Sequence, residues 1–581
     1  MRKFLLALLL GSAITVHAQK ENYNWVFGVR AGLTWNSTQN FEGQDVFGLS
    51  GGNLNFNDIP QSYVTSINTA EGCFNVSDGA GKLLFYSDGI TVWGRSTPTT
   101  NTTSSTDTPI TNGNNLTGNN TSAQSGIILP YPGTSGNYIA VTLNTKDGAG
   151  STITENEVRQ YLSWSAIVYN TETEEYEIPA NKKNIVLTPP NGQFYKELVN
   201  AVRHANKRDY WIVAPSRLID NTTLRNYYKL SVYKVDQNGV DTTPIPQANN
   251  LNYVETTTVT HFTSYGQLKF NNAGDRLALI THNRNSSTNT YNNLLIADFN
   301  RETGQITILE ERMIGIANEQ TYSIEFDPTD QYVYITSLTN TPIELNARKY
   351  SLYIFNVNDL VNPSIPDHQL RDYGFQKVIT GENTSATTHF GSIAKGIDGR
   401  LYITENGTRN MFIIPNPGDP SNLKIYRLNE ILKSGTSGRL GLPNYAPFYV
   451  NTTSEMIPTT ACKEVPIELQ VNIAPGEGFA TYDKIRIDFG DGKIIPITDI
   501  RPNNGIPFDP DLLDVLQITQ DASTNEIKIR VKHTYLNGGD YVVKASIYDE
   551  NEQEILEAST AKVAQINTCH LKVNPHIRIQ L

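Results

Sequence analysis

Residues Tyr322-Ser-Ile-Glu-Phe-Asp-Pro-Thr-Asp-Gln-Tyr-Val-Tyr-Ile335 read as a β-hairpin. One strand runs into an Asp/Pro/Asp turn, and a second strand of aromatic and β-branched residues leaves it. The same pattern stands at Phe74–Tyr86, Ala201–Val213, Gly266–Ile280 and Phe390–Ile403. After several copies a second pair of strands follows, as at Tyr227–Val235, Leu294–Phe299 with its turn at Thr303-Gly304, and Leu352–Val357. Four strands returning about every sixty residues predict a β-propeller. A lone blade cannot bury both of its faces, so neighbouring blades must cover them. Asn137–Leu143 with Ser165–Tyr169 supplies a sixth copy. A seventh blade is expected from Trp25–Trp35 pairing with the segment near Gly441–Val450. A run of separate β-sandwiches is the competing reading, but it would not share one turn motif at a fixed spacing.

Outward from this repeat, composition sets the class. The chain has 581 residues, of which 38% are apolar and 18% charged, with 20 Phe, 30 Tyr and 5 Trp. So many aromatics exclude a disordered tail, a collagen or a long coiled coil. Three cysteines exclude a disulfide scaffold. Arg2 and Lys3, an apolar run from Phe4 to Leu10, and Val16-His17-Ala18 before Gln19 form an export signal over residues 1–18. Without it, 44 Lys and Arg face 58 Asp and Glu, a net charge of −14 against −12 for the whole chain. Such acidity argues against nucleic acid or anionic lipid as a partner. No later segment is long enough to cross a membrane as a helix.

The propeller is assigned to residues 19–452, with a polar loop over 97–125, and a linker to 453–462. Residues 463–566 hold six or seven short strands, among them Lys484–Asp488 and Gly539–Tyr548, and predict an immunoglobulin-like sandwich. A tail follows over 567–581. The fold class is thus all-β.

The sandwich resembles a PKD domain through Asp488-Phe489-Gly490-Asp491-Gly492, His533-Thr534-Tyr535 and Gly539-Asp540-Tyr541-Val542-Val543. That family usually has Trp where Ile487 or Phe489 stands here. The resemblance implies an extracellular spacer or interaction module without catalysis. The first 450 residues resemble the N-terminal propeller of secreted Bacteroidota surface proteins associated with gliding motility and type IX secretion. The marks are Asn24-Trp25-Val26-Phe27-Gly28, Glu71-Gly72-Cys73, Leu84–Trp93, Ala123-Gln124-Ser125, Val202–Asn206 with Arg208–Trp211, and Gly441-Leu442-Pro443-Asn444. Type IX cargo ends in a sorting domain, and none follows residue 566, so the export route stays open.

No motif for catalysis emerges. The nine histidines, His570 and His576 included, show no metal-protease spacing. Ser559–Lys562 matches Ser-x-x-Lys inside an expected last strand and reads as chance. Asp209, Asp275, Asp330 and Asp398 could be imagined as glycosidase carboxylates, but they share one turn position and read as turn formers. Asp488 and Asp491 are candidate Ca²⁺ ligands, with turn shaping as the simpler role. His204 and Trp211 would suit a sugar in a propeller funnel, yet Tyr210–Val213 alternates like a core strand, which predicts a buried Trp211. Cys73 is expected buried and free. Cys462 and Cys569 flank the sandwich and are a candidate disulfide. Against a bridge, the first strand of a sandwich begins and its last ends at opposite poles.

These observations predict an exported, non-catalytic binding or scaffold protein of the periplasm, outer-membrane surface or medium, acting in adhesion, gliding or type IX secretion. No cofactor and no resident metal are expected. The partner would be an envelope or secretion-machinery protein, or a glycan. A lectin or a glycan-cleaving hydrolase is the alternative.

Overall fold

A computed structural model describes residues 22–446 and 460–567, apart from internal stretches of which the longest are 145–160, 498–513 and 549–559. The chain divides into two compact units that part near Tyr449 and Val450. The expected export signal and C-terminal tail lie outside the described residues, as does the expected linker up to residue 459.

In the first unit, seven antiparallel sheets follow one another along the chain. Four are plain four-stranded meanders among the described residues. They run Phe74–Ser77 to Thr108–Pro109, Phe262–Phe270 to Ile306–Ile314, Glu319–Phe326 to Phe375–Thr380, and Phe390–Lys395 to Tyr426–Leu428. Local chemistry builds the hairpins. In the quoted stretch, Asp327 accepts the backbone N–H groups of Thr329 (2.9 Å) and Tyr332 (2.7 Å), and Asp330 takes a left-handed φ of 58°.

Burial explains why the units must repeat. The first strands Asn24–Phe27, Phe74–Ser77, Asn200–Arg203 and Glu319–Phe326 are buried at every position, whereas the outer strand Ile306–Ile314 is not. First strands therefore have neighbours on both faces. Apolar clusters supply them in chain order, five of them among the described residues. Phe74, Ile127 and Tyr210 join the second, third and fourth sheets. Val213 with Leu277, Ile280 with Ile335, and Tyr350 with Phe412 carry the packing to the seventh sheet. The last cluster sets Trp25 and Trp35 against Tyr402 and Ile413 of the seventh sheet and Tyr86 of the second, so the succession returns on itself.

The first sheet departs from expectation. Trp25–Trp35 is a hairpin in itself, with Trp25 opposite Leu33, and its further partner is Leu54–Asn68 rather than the segment near Gly441–Val450. Leu54–Asn68 mixes Asn, Asp, Gln and Ser among its apolar residues, which masked it as a strand. The sixth copy gains a first strand, Gly126–Pro130, ahead of the expected pair. Part of the expected polar loop is a strand, since Thr108–Pro109 pairs with Trp93-Gly94.

The second unit holds two sheets. One orders Thr460–Cys462, Thr560–Asn567, Gly539–Tyr548, Lys484–Asp488 and Ile494–Ile497, and the other Ile467–Ile473, Ile527–His533 and Val515–Gln520. Thr460–Cys462, placed in the linker by sequence, is a strand. It runs parallel to the last strand with Cys462 beside Asn567. The opposite-poles argument therefore fails: the chain re-enters along its own last strand, so both ends reach the same pole.

Candidate functional site

The closing segment of the first unit, Ser437–Tyr445, lies among the first strands. Ser437 exchanges backbone hydrogen bonds with Val29, Leu440 donates to Ala70 and accepts from Ser392, and Asn444 donates to Cys73. Leu440 also packs on the cluster that holds Leu268 and Tyr322. One short segment thus touches residues of the first, fifth and seventh sheets. The approach requires glycine at Gly441, where a Cβ would stand 1.7 Å from the carbonyl oxygen of Glu71.

The Asn444 carboxamide is satisfied on all sides. Its Oδ1 accepts from Gln124 Nε2 and Asn200 Nδ2, each at 3.1 Å. Its Nδ2 donates to the carbonyls of Gly126 (3.0 Å) and Val199 (2.8 Å). Gln124 in turn pairs with both the N–H and the C=O of Leu268. The fit is selective for an amide, since only a group with two donors and one acceptor oxygen suits this cradle. Three of the stretches that carry the sequence resemblance meet here: Glu71–Cys73, Ala123–Ser125 and Gly441–Asn444.

Beside the segment, Tyr322 donates to Glu71 Oε2 at 3.1 Å, and Glu197 Oε2 accepts the Ala123 N–H at 3.1 Å. Glu71 and Glu197 are 9% and 2% exposed. Burial, then these carboxylates, push the Tyr322 phenol well above its usual range. The sequence did not single out this pair, because nothing local marks it. At the turn ends of three successive first strands stand Lys269, Glu325 and Lys395. Lys269 Nζ lies 3.4 Å from Glu325 Oε2, and burial lowers the Lys395 ammonium pKa.

The residues picked from sequence are spread out. Trp211 is buried as expected, 4% exposed, stacked on His204 with centroids 5.0 Å apart, and its Nε1 donates to the carbonyl of Arg301. Burial lowers the His204 pKa. Asp209 and Asp275 serve their own turns, through Asn206 and Asn271. Burial works to raise the Asp209 pKa, but bonds from Arg208 and Asn206 hold it below the usual range. Asp330 and Asp398 do more than form turns. Asp330 accepts the N–H groups of Asn272 and Ala273 from the preceding sheet. Asp398 accepts from Tyr402 OH at 2.6 Å and from Trp35 Nε1 at 3.3 Å, which ties the seventh sheet to the first.

In the second unit, Asp488 and Asp491 accept the N–H groups of Gly490 and Lys493. Asp491 also pairs with His533 Nε2 at 2.8 Å, so the candidate Ca²⁺ carboxylates have protein partners. Cys73 is buried and free, and Cys462 is disulfide-bonded. Cys569, Ser559, His570 and His576 lie outside the described residues. Among the described residues no group of three His, Cys, Asp or Glu could hold a metal, and no helix is long and apolar enough to cross a membrane.

No family model and no curated protein matches the chain. Among solved structures it is similar to the extracellular domain of BT4673, described as a one-component system of B. thetaiotaomicron. That match has 10% identity and a TM-score of 0.21, and covers 93% of this chain and 74% of that one. It is also similar to K. marxianus Hsv2, with 11% identity and a TM-score of 0.19, over 47% of this chain and 94% of that one. Likeness at this level fixes neither family nor function.

Proposed function

We propose that the chain is a seven-bladed β-propeller followed by a PKD-type sandwich, exported to the cell envelope or beyond, where it acts as a non-catalytic binding or scaffold protein. One observation carries this reading. The axis, where a propeller could hold a small-molecule site, is filled by the protein's own Gly441–Tyr445, held by Gln124, Asn200, Gly126 and Val199. Recognition would then fall to the loops at the two faces of a rigid disc, and the sandwich would act as a spacer. The resemblance to gliding-motility and type IX secretion-associated surface proteins points to a protein partner in that envelope machinery.

Glu71 and Glu197 favour a second reading, a glycan-cleaving enzyme, because two carboxylates beside a tyrosine can serve acid–base chemistry. Their near-complete burial and their bonds to Tyr322 and Ala123 support a structural role instead. Affinity purification from native envelopes, with mass spectrometry of the recovered proteins, tests the proposal alongside a glycan array and a panel of glycosidase substrates. Reproducible enrichment of adhesion or secretion components supports it. A clean monomer that binds or cleaves glycan overturns it.

A further inference from the structure

The sixth sheet holds a cluster that none of the roles above uses. Glu319 opens its first strand and is 2% exposed. On the third strand, Ala347–Asn356, alternate residues Lys349, Ser351 and Tyr353 share one face. On the outer strand, Phe375–Thr380, Gln376 pairs with Ser351, and Val378 with Lys349. Lys349 and Gln376 are therefore diagonal neighbours, with backbones about 7–8 Å apart and within reach of long side chains.

The Glu319 carboxylate gathers all of them. Its Oε2 accepts from Tyr353 OH at 2.6 Å, and its Oε1 from Ser351 Oγ at 3.1 Å. The same Oε1 accepts from Gln376 Nε2 at 3.1 Å and forms an ion pair with Lys349 Nζ. Gln376 Nε2 also donates to Tyr353 OH at 3.2 Å, which fixes the carboxamide. A plain ion pair needs only the carboxylate and the ammonium. Here an amide nitrogen rests on the oxygen that the ammonium touches, so a nucleophile, a leaving group and one proton carrier stand together in a buried site.

We propose that Lys349 and Gln376 are a self-linking pair, joined by an isopeptide bond that Glu319 promotes. Glu319 Oε1 takes a proton from the Lys349 ammonium, and the neutral amine attacks Gln376 Cδ. Oε1 then returns the proton to Nε2, the C–N bond to Nε2 breaks, and ammonia leaves. One amide is exchanged for another, so no oxidant, cofactor or activated donor is required. Proximity supplies the drive that a primary amide lacks in water, and a shared carboxylate supplies acid and base in turn. The link would staple the outer strand of the sixth sheet to its neighbour, in a chain with only three cysteines. It holds whatever the protein binds.

Tryptic peptide mapping of the purified full chain tests this. Without the link, trypsin cuts after Lys349 and releases Tyr350–Arg371 and Asp372–Lys377 as separate peptides. With it, cleavage after Lys349 is blocked, and Lys349–Arg371 emerges joined to Asp372–Lys377, lighter than the two together by one ammonia. Fragmentation should place the junction at Lys349 and Gln376. Glu319→Gln keeps the shape but removes the proton carrier, and should return separate peptides at full mass. Gln376→Glu, which has no ammonia to expel, should do the same. Native protein that yields only the separate peptides overturns the bond. A link formed to the native extent in Glu319→Gln overturns the role of Glu319 and, with it, the self-linking reaction; the native map decides the bond itself even if that variant fails to fold.

Discussion

The amide cradle at Asn444 makes Asn444→Asp a sharp perturbation, because it changes one atom and little volume. Asn444 is 2% exposed, and its Nδ2 donates to the carbonyls of Gly126 and Val199. An aspartate places an acceptor against both. Two donated bonds vanish and two buried carbonyls lose a partner, at about 1–3 kcal/mol each. Burying the ionised form adds several kcal/mol unless it takes up a proton. A total of about 4 kcal/mol at neutral pH is therefore a modest expectation. With an unfolding entropy of about 2 cal/mol/K per residue over roughly 430 residues, that lowers Tm by about 4–5 °C.

The loss should also depend on pH, in a direction that can be derived. The buried aspartate would titrate above its unfolded pKa of about 3.9, so the folded variant binds more protons than the unfolded chain. Stability contributed by the protonated form is fully present below that value and is lost as pH rises through the folded pKa. The gap in Tm between Asn444→Asp and the native protein should accordingly widen from pH 4.5 to pH 7.5. Calorimetry of both proteins across that range measures it. A variant melting within 1 °C of the native protein at every pH, or a loss independent of pH, would refute the cradle.

Gly441→Ala should disrupt closure outright, since the new methyl meets the Glu71 carbonyl at 1.7 Å; soluble yield and the cooperativity of melting read this. Trp211→Ala should cost about 3–5 kcal/mol, as for other buried aromatics, while any ligand or partner affinity per folded molecule stays unchanged. An affinity loss at equal folded fraction would return Trp211 to a binding role. Cys462→Ser should destabilise the second unit by about 4–5 kcal/mol, given a closed loop of roughly a hundred residues. Non-reducing peptide mapping should find Cys462 joined to Cys569 and Cys73 alkylated only after unfolding.

The sequence by itself determined everything that depends on near neighbours along the chain. Asp327 captures N–H groups two and five residues ahead, so the hairpin of Tyr322–Ile335 is written in its own turn. Alternation at Tyr210–Val213 announced that Trp211 faces a core. The repetition of such hairpins established an all-β chain, and a change of character along the sequence marked off the second unit. Tertiary structure alone decided which distant residues meet. Asn444 finds Gln124 and Asn200 from 320 and 244 residues away, and Trp35 finds Asp398 across 363. No period or local propensity encodes those meetings. They depend on how the twist and packing of seven sheets add up, and only that sum brings the seventh sheet back to the first. The same long-range geometry turned Leu54–Asn68, weak as a strand on its own, into the true partner of Trp25–Trp35. It also set Cys462 beside the end of the last strand.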